Sequence, residues 1–227
     1  MVLDPRKRQK KLERKSAKRK AHRIAWVQQN PTDMRTRFQN AAAAPVIHSQ
    51  TSDSLWKQGI GHVLLSRSIN GGQVAFAVFM VDMFCLGVKN AMWGIRSPSE
   101  VDVLAGKLST GYKIVKLQPE CARSLVEGAV EYARNLGFAP HDDYHRAKLL
   151  FGDIDAAACT EEFVYGRDGK PYFIAGPDDG PARCQQIIRT LNSRLGPDGH
   201  HFLIPVSGGN PLLDSVDLDE GEWEVVE

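Results

Sequence analysis

The sequence contains no apolar run long enough to cross a membrane as a helix. Its most apolar stretch, residues 61–93, is interrupted by Asp82 and Lys89, whereas a spanning helix needs roughly 20 apolar residues in succession. The N-terminus is basic, but no apolar segment typical of a signal peptide follows it. We therefore expect a cytoplasmic protein without a membrane partner.

Cysteine is scarce and widely spaced. The chain has four cysteines, and neighbouring ones lie 25 or more positions apart. This spacing excludes the C-x-x-C pairs of zinc ribbons and thioredoxin-like proteins. Without an export signal we expect free thiols rather than disulfides at Cys121 and Cys159. The apolar neighbours of Cys85 and Cys184 predict two small core residues.

Known catalytic and nucleotide-binding signatures are missing as well. The sequence has no P-loop and no G-x-G-x-x-G, and it lacks the G-x-S-x-G nucleophile elbow. Asp178 and Asp179 precede a proline-led helix pattern, where their charges favour helix capping over phosphate binding. No motif indicates a particular reaction, so the sequence leaves open whether the protein is an enzyme. We expect no cofactor.

The apolar stretch predicts a central β-hairpin. Residues 62–67 and 73–86 form two arms around Asn70-Gly71-Gly72, which supplies the residues that accept positive φ in a tight turn. The Val and Phe content of the second arm favours a strand over a buried helix. Gly87 predicts a bulge or a close backbone approach.

The remaining pattern predicts alternating helices and strands. Apolar residues at helical spacing over residues 119–136, ended by Gly137, predict the longest helix. Further predictions are a short helix ending near Ala44, a linker over residues 46–54, short elements at 101–108 and 112–117, a helix over 142–150, a second hairpin over 162–175, a helix over 181–195 and a strand over 201–206.

This order of elements predicts an α+β fold. We expect a single domain with an antiparallel or mixed sheet, built from two β-hairpins and packed helices. The predicted boundaries are a basic arm and linker at 1–54, the α+β domain at 55–206 and an acidic tail at 207–227.

Charge is concentrated at the two ends of the chain. Residues 1–23 carry 11 Lys and Arg against two acids, and residues 214–227 carry seven acids and no base. The remaining residues, 24–213, hold 18 charges of each sign. Such an arm has too little apolar surface to fold alone and is suited to contacting phosphates.

The basic arm favours RNA over DNA, because arginine-rich arms often fold on RNA and no base-reading motif accompanies this one. We expect a non-enzymatic RNA- or ribosome-associated protein in which the acidic tail pairs with the arm when nucleic acid is absent. In another alternative, the folded body is a protein-interaction module and the basic arm only keeps the protein soluble. The candidate nucleic-acid contacts are Arg6, Lys7, Arg8, Lys10, Lys11, Arg14, Lys15, Lys18, Arg19, Lys20 and Arg23.

A polar cluster supports a competing hypothesis, a metal-dependent hydrolase or nuclease. On a predicted helix, His141 and His145 share one face at i, i+4, and Asp153 or Asp155 supplies a third metal ligand. The pattern is not H-E-x-x-H, however, because the general-base Glu is missing. The competing interpretation is exposed histidines beside acids that favour a helix N-terminus.

Asp82 and Lys89 are the weak catalytic candidates, since each charge lies in an apolar strand. Asp82 either faces water or is buried with a partner, and burial would perturb its pKa. For Lys89 we favour a strand end with the ammonium group in water.

Three segments, VDMFCLGVKNA, LFGDID and YGRDGKPYFIAGPDDGPAR, resemble a family of bacterial conserved proteins without an assigned activity. The resemblance covers about residues 56–205 and leaves out both charged ends. It implies a bacterial cytoplasmic protein and transfers no site residue.

Overall fold

The computed structural model describes residues 34–177 and 179–204. The basic arm at 1–23, the acidic tail at 214–227 and the end of the predicted strand over 201–206 lie outside the described residues. None of the helices in the described part of the chain is both long and apolar enough to cross a membrane.

The described residues form an α+β fold, as predicted. The helices are α1 (Met34–Asn40), α2 (Ser54–Gln58), α3 (Pro98–Leu108), α4 (Pro119–Asn135), α5 (Tyr144–Ala147) and α6 (Pro181–Leu195). The strands are β1 (Val46–Ser52), β2 (Ile60–Ile69), β3 (Gln73–Asp82), β4 (Gly87–Arg96), β5 (Ile114–Lys116), β6 (Tyr172–Ile174) and β7 (His201–Leu203). Short 3₁₀ segments lie at Ala41–Ala43, Lys148–Phe151, Ala156–Ala158 and Pro197–Gly199.

Five strands form one antiparallel sheet in the order β4-β3-β2-β1-β5. The predicted central hairpin is confirmed as β2 and β3, and both Gly71 and Gly72 have positive φ in its turn. Strand β3 ends at Asp82 rather than at residue 86, because residues 83–86 form a turn into β4.

Strand β3 is buried on both faces, which explains its continuous apolar sequence. One face presents Ala75, Ala77, Phe79 and Val81, and the other presents Val74, Phe76 and Val78. Helix α4 and the 3₁₀ segment Lys148–Phe151 cover the first face, where the rings of Phe79 and Phe151 stack at 5.2 Å. Helix α3 covers part of the second face.

Helix α4 confirms the helix predicted from apolar spacing. Its buried face is that of the sequence pattern, and Gly137 follows it with φ of 94°. Phe138 N donates to Ala133 O and Gly137 N to Arg134 O, each at 2.9 Å, which is the bonding pattern of a Schellman C-terminal cap. Gly87 permits close contact with this helix, since a Cβ there would lie 2.7 Å from Ala129 O.

The predicted linker over residues 46–54 is wrong. Residues 46–52 form strand β1, which pairs with both β2 and β5, and the preceding helix α1 buries Phe38 against Trp93. The sequence VIHSQTS lacks strict apolar alternation, so its strand conformation depends on partners on both sides rather than on its own pattern. The folded body therefore includes residues before 55.

The predicted second hairpin over residues 162–175 is also wrong. The turn at Arg167 to Lys170 exists, with a single bridge between those two residues, but no strand precedes it. Strand β6 pairs instead with β7, in parallel. The predicted turn is therefore present, but its second strand has a different partner. That partner, β7, lies about 30 positions further along the chain, so no local sequence pattern indicates the pairing.

The helix predicted over residues 142–150 is shorter than expected. It comprises the single turn of α5 followed by a 3₁₀ segment. Buried Arg67 fixes this segment to the sheet, since its guanidinium donates to Leu150 O at 2.9 Å and to Phe151 O at 2.8 Å. A third bond reaches Ala44 O at 2.6 Å, so the buried Arg67 side chain is satisfied by three carbonyl groups outside β2.

The prediction of four free thiols is wrong for two of them. Cys121 in α4 forms a disulfide with Cys159, which follows the 3₁₀ segment Ala156–Ala158. Cys85 and Cys184 are free and buried, as predicted. Sequence spacing cannot reveal this pairing, because the fold and not the chain brings the two sulfur atoms together.

The disulfide predicts a definite thiol count and a stability difference. Protein unfolded without reductant should show two reactive thiols, and four after reduction. Closing a loop of 38 residues should stabilise the fold by about 4 kcal/mol. Urea unfolding of Cys159→Ser without reductant should show a loss of that order, and with reductant the variant should match the wild type. Four thiols before reduction would contradict the bond.

Candidate functional site

A large cavity opens at the end of the sheet where β2 and β4 begin and β3 ends. Its volume is about 710 Å³, within the range of roughly 300–1,000 Å³ that small-molecule sites occupy. Its walls come from the sheet, from residues 174–177 and 179 and from the first turn of α6. The lining comprises Lys57, Gln58, Ile60, Met80, Asp82, Phe84, Lys89, Asn90, His141, Arg167, Ile174, Ala175, Gly176, Pro177, Asp179 and Arg183.

A β-bulge in β4 directs two side chains to this cavity. Met80 pairs with Asn90 and Val81 with Val88, so Lys89 is the extra residue between them. Strict alternation would send neighbouring side chains to opposite faces, but the bulge lets both Lys89 and Asn90 line the cavity. The sequence predicts a bulge or a close backbone approach at Gly87, and the bulge lies two positions further along, at Lys89.

Lys89 is not solvated, contrary to our preferred interpretation. Its side chain is 11% exposed, and its Nζ donates to Asp179 Oδ2 at 2.8 Å. The side chain of Asp179 is 4% exposed. The two residues are 90 positions apart, and their ion pair joins the bulge to the loop before α6.

Asp179 is enclosed by hydrogen bonds rather than placed as a helix cap. The N-cap of α6 is Gly180, while Asp179 Oδ2 also accepts from Gly176 N at 2.9 Å and Oδ1 lies 2.8 Å from Arg183 Nε. Burial alone would raise the pKa of Asp179, but the bonds from Lys89 and Gly176 and the charge of Arg183 lower it below its ordinary value. Asp179 is therefore a buried carboxylate with both oxygens engaged. Asp178 lies outside the described residues.

Asp82 is buried, which settles the choice left open by the sequence. Its Oδ1 accepts from Phe84 N at 2.9 Å and from Cys85 N at 3.0 Å, so it holds the turn between β3 and β4. Burial raises the pKa of Asp82 to about 6, against the opposing effects of these hydrogen bonds and of the charge on Lys89. A carboxyl group in this state exchanges its proton near neutral pH.

The same turn connects the sheet to the β6 region. Met83 N donates to Gly59 O at 2.7 Å, Gly166 N to Met83 O at 2.9 Å and Tyr172 N to Phe84 O at 3.0 Å. The guanidinium of Arg167 lies over the ring of Tyr172, 5.2 Å from its centroid. These contacts position Arg167 and Phe84 on the wall of the cavity.

A second, smaller cavity of about 430 Å³ adjoins the first. Lys89, His141 and Arg183 line both cavities. The bridge formed by Lys89, Asp179 and Arg183 therefore lies at the boundary between the two spaces.

The structure does not bring the proposed metal ligands together. His141 precedes α5 and accepts from Asp143 N through Nδ1 at 3.2 Å, so it does not share a helical face with the exposed His145. Asp155 accepts from Ala157 N, and Asp153 is 81% exposed beside Arg67. In the part of the chain that the structure describes, no three His, Cys, Asp or Glu residues are grouped to hold a metal ion.

Sequence reasoning found Asp82 and Lys89 but missed Asp179, Arg167 and Arg183. The first two stand out as charges within an apolar strand. The other three lie in a polar loop and on a helix surface, where charges are ordinary. Their place in the cavity follows from the packing of α6 against the sheet end, which no local pattern indicates. The basic arm residues lie outside the described part of the chain.

Replacing Asp82 by Asn is expected to remove a pH dependence of stability. Asp82 has a pKa of about 6 in the folded protein and an ordinary value of 3.8. Between these values the folded state holds a proton that the unfolded chain has released, so the free energy of unfolding falls as pH rises. From about pH 4 to about pH 6 this group should lower it by roughly 3 kcal/mol.

Urea unfolding of the wild type and of Asp82→Asn across that range measures the effect. The free energy of the wild type minus that of the variant should decrease as pH rises and then level off above about pH 6. A difference that stays constant with pH would contradict the raised pKa.

Comparison with known proteins places no further constraint on the site. No protein-family model, no curated protein and no solved structure shows significant similarity to this chain. The resemblance to a bacterial family stays a prediction.

Proposed function

We propose that this chain is a nucleic-acid-binding protein that favours RNA, associated with RNA or with ribosomes, and that its basic arm supplies the affinity. The observation that supports the proposal is the arm's charge of +9 within residues 1–23, next to a section, residues 24–213, with equal numbers of acids and bases. A cationic segment of this density gains affinity by releasing counterions from phosphates.

The metal-dependent hydrolase hypothesis gains no support from the described residues, because His141, His145, Asp153 and Asp155 do not converge. The interaction-module hypothesis, in which the arm only solubilises the protein, predicts negligible affinity for RNA. Binding measurements therefore separate it from the proposed function.

Binding of a single-stranded RNA 20-mer should depend steeply on salt. For single strands each phosphate contact contributes about −0.7 to the slope of log K against log salt, so 11 contacts would give about −8. Substituting six arm lysines by Gln (Lys7, Lys10, Lys11, Lys15, Lys18 and Lys20) should flatten the slope by up to about 4. The matched control is a DNA duplex, for which we expect weaker binding at equal salt.

Deleting residues 1–23 should abolish the salt dependence. An arm-deleted protein that keeps the slope of the full chain would contradict the proposal. Negligible RNA binding by both proteins would favour the interaction module instead.

The acidic tail is expected to compete with RNA for the arm. Residues 214–227 carry seven acids, and their attraction to the arm weakens as salt screens it. Deleting the tail should tighten RNA binding at low salt and have a smaller effect at high salt. In the arm-deleted protein the same tail deletion should change nothing. Unchanged affinity after tail deletion from the full chain would rule out this competition.

A further inference from the structure

We propose that the cavity at the sheet end binds a small organic anion, with one carboxylate or phosphate group on an apolar body. This inference goes beyond the proposed function, because it concerns the folded body and not the arm. It rests on the charge balance of the cavity wall, on hydrogen-bond donors that remain available there, and on the apolar surface beside them.

The cavity wall carries more positive than negative charge. Four cationic side chains and two carboxylates line it, and one of the cations, Lys57, is paired with Asp53 outside the lining. Asp179 is held through both oxygens by Lys89, Arg183 and Gly176 N, and Asp82 accepts two backbone N–H groups through Oδ1. Asp179 is thus already engaged, and the positive charge of the wall comes from Lys89, Arg167 and Arg183.

Donors remain available on the cationic side. Lys89 has three N–H donors, and within residues 34–177 and 179–204 its one hydrogen-bond partner is Asp179. Arg183 approaches Asp179 through Nε, which leaves its two terminal nitrogens for other partners. Arg167 lines the cavity with its guanidinium over the Tyr172 ring, and its Nε lies 3.7 Å from Asp168 Oδ2, which leaves the terminal nitrogens for a ligand. Arginine forks and a lysine ammonium group both recognise carboxylate and phosphate.

The rest of the wall is apolar and fits an organic body. Next to the charged side chains lie Ile60, Met80, Phe84, Ile174 and Pro177. Sites for small molecules typically combine such apolar surface with a few convergent polar groups. Asn90 is exposed at the wall and provides both a donor and an acceptor.

The buried ion pair between Lys89 and Asp179 is better explained by a role in binding than by a contribution to stability. Moving Lys89 and Asp179 out of water costs free energy that a pair of apolar side chains would avoid. Here the pair is at a bulge and on a cavity wall, which are features that recur beside binding sites. Asp179 contacts both Lys89 and Arg183, so these two cationic groups are held in place before a ligand binds.

Four eight-carbon probes distinguish the chemistry that the cavity recognises. Octanoate and octyl phosphate carry the two anionic groups, while octanol and octylammonium carry a neutral and a cationic group on the same chain. Isothermal titration calorimetry on the full chain, below micelle-forming concentrations, should show one site for at least one anion. Octanol and octylammonium should bind at least tenfold more weakly, and the stronger anion identifies the recognised group.

Variants then assign the binding to the cavity. Arg167→Gln and Arg183→Gln should each weaken anion binding at least tenfold, and Asn90→Phe should block it by filling the cavity from an exposed position. The matched control is Arg189→Gln, an exposed arginine on the same helix as Arg183, which should leave binding unchanged. The variant with six arm lysines substituted by Gln controls for binding of the probes to the arm.

Several outcomes would overturn the proposal. These are no binding of either anion, equal binding of octanol and octanoate, or equal anion affinity in the Arg183→Gln and Arg189→Gln proteins. Thermal unfolding of each variant confirms that it is folded. The salt dependence of RNA binding is measured separately, so a failure here is distinguishable from a failure of the proposed function.

Discussion

The burial of β3 on both faces is the constraint that organises this fold. A strand that is apolar throughout must be covered on each side, and here α4 with the Lys148–Phe151 segment covers one face while α3 covers the other. Helix α3 reaches only the part of its face around Val74 to Val78. Beyond it, Met80 and Asp82 line the cavity, whose opposite walls include Lys57 of α2 and Arg183 of α6.

Polar contacts add to the apolar packing of α6 where the chain encloses the cavity. The ion pair between Lys89 and Asp179 joins the bulge in β4 to the loop before α6, and hydrogen bonds from the turn at residues 83–86 hold the β6 region beside it. A buried pair contributes less stability than apolar packing but imposes a definite geometry. The wall of the cavity is consequently fixed in position while it keeps charged groups facing inward.

The proposed roles fall on different parts of the molecule for a physical reason. Charge-driven binding of phosphates needs many cations and no fixed shape, so a segment with few apolar residues is sufficient for it. Selective binding of a small anion needs few cations held in a dry, shaped wall, which only the packed body supplies. The first role is proposed for the arm and the second for the cavity of the folded body.

The sequence alone determined the elements whose signal is local. Apolar spacing in α4 and α6, the Asn-Gly-Gly turn of the central hairpin and the charges of the two ends could all be predicted, because each depends on neighbouring residues. Tertiary structure alone decided the strand at residues 46–52, the parallel partner of β6, the disulfide between Cys121 and Cys159, and the pairing of Lys89 with Asp179. Each of these joins residues far apart in the chain. Their contact energy is realised only when packing of the sheet and helices brings them within a few ångströms of each other.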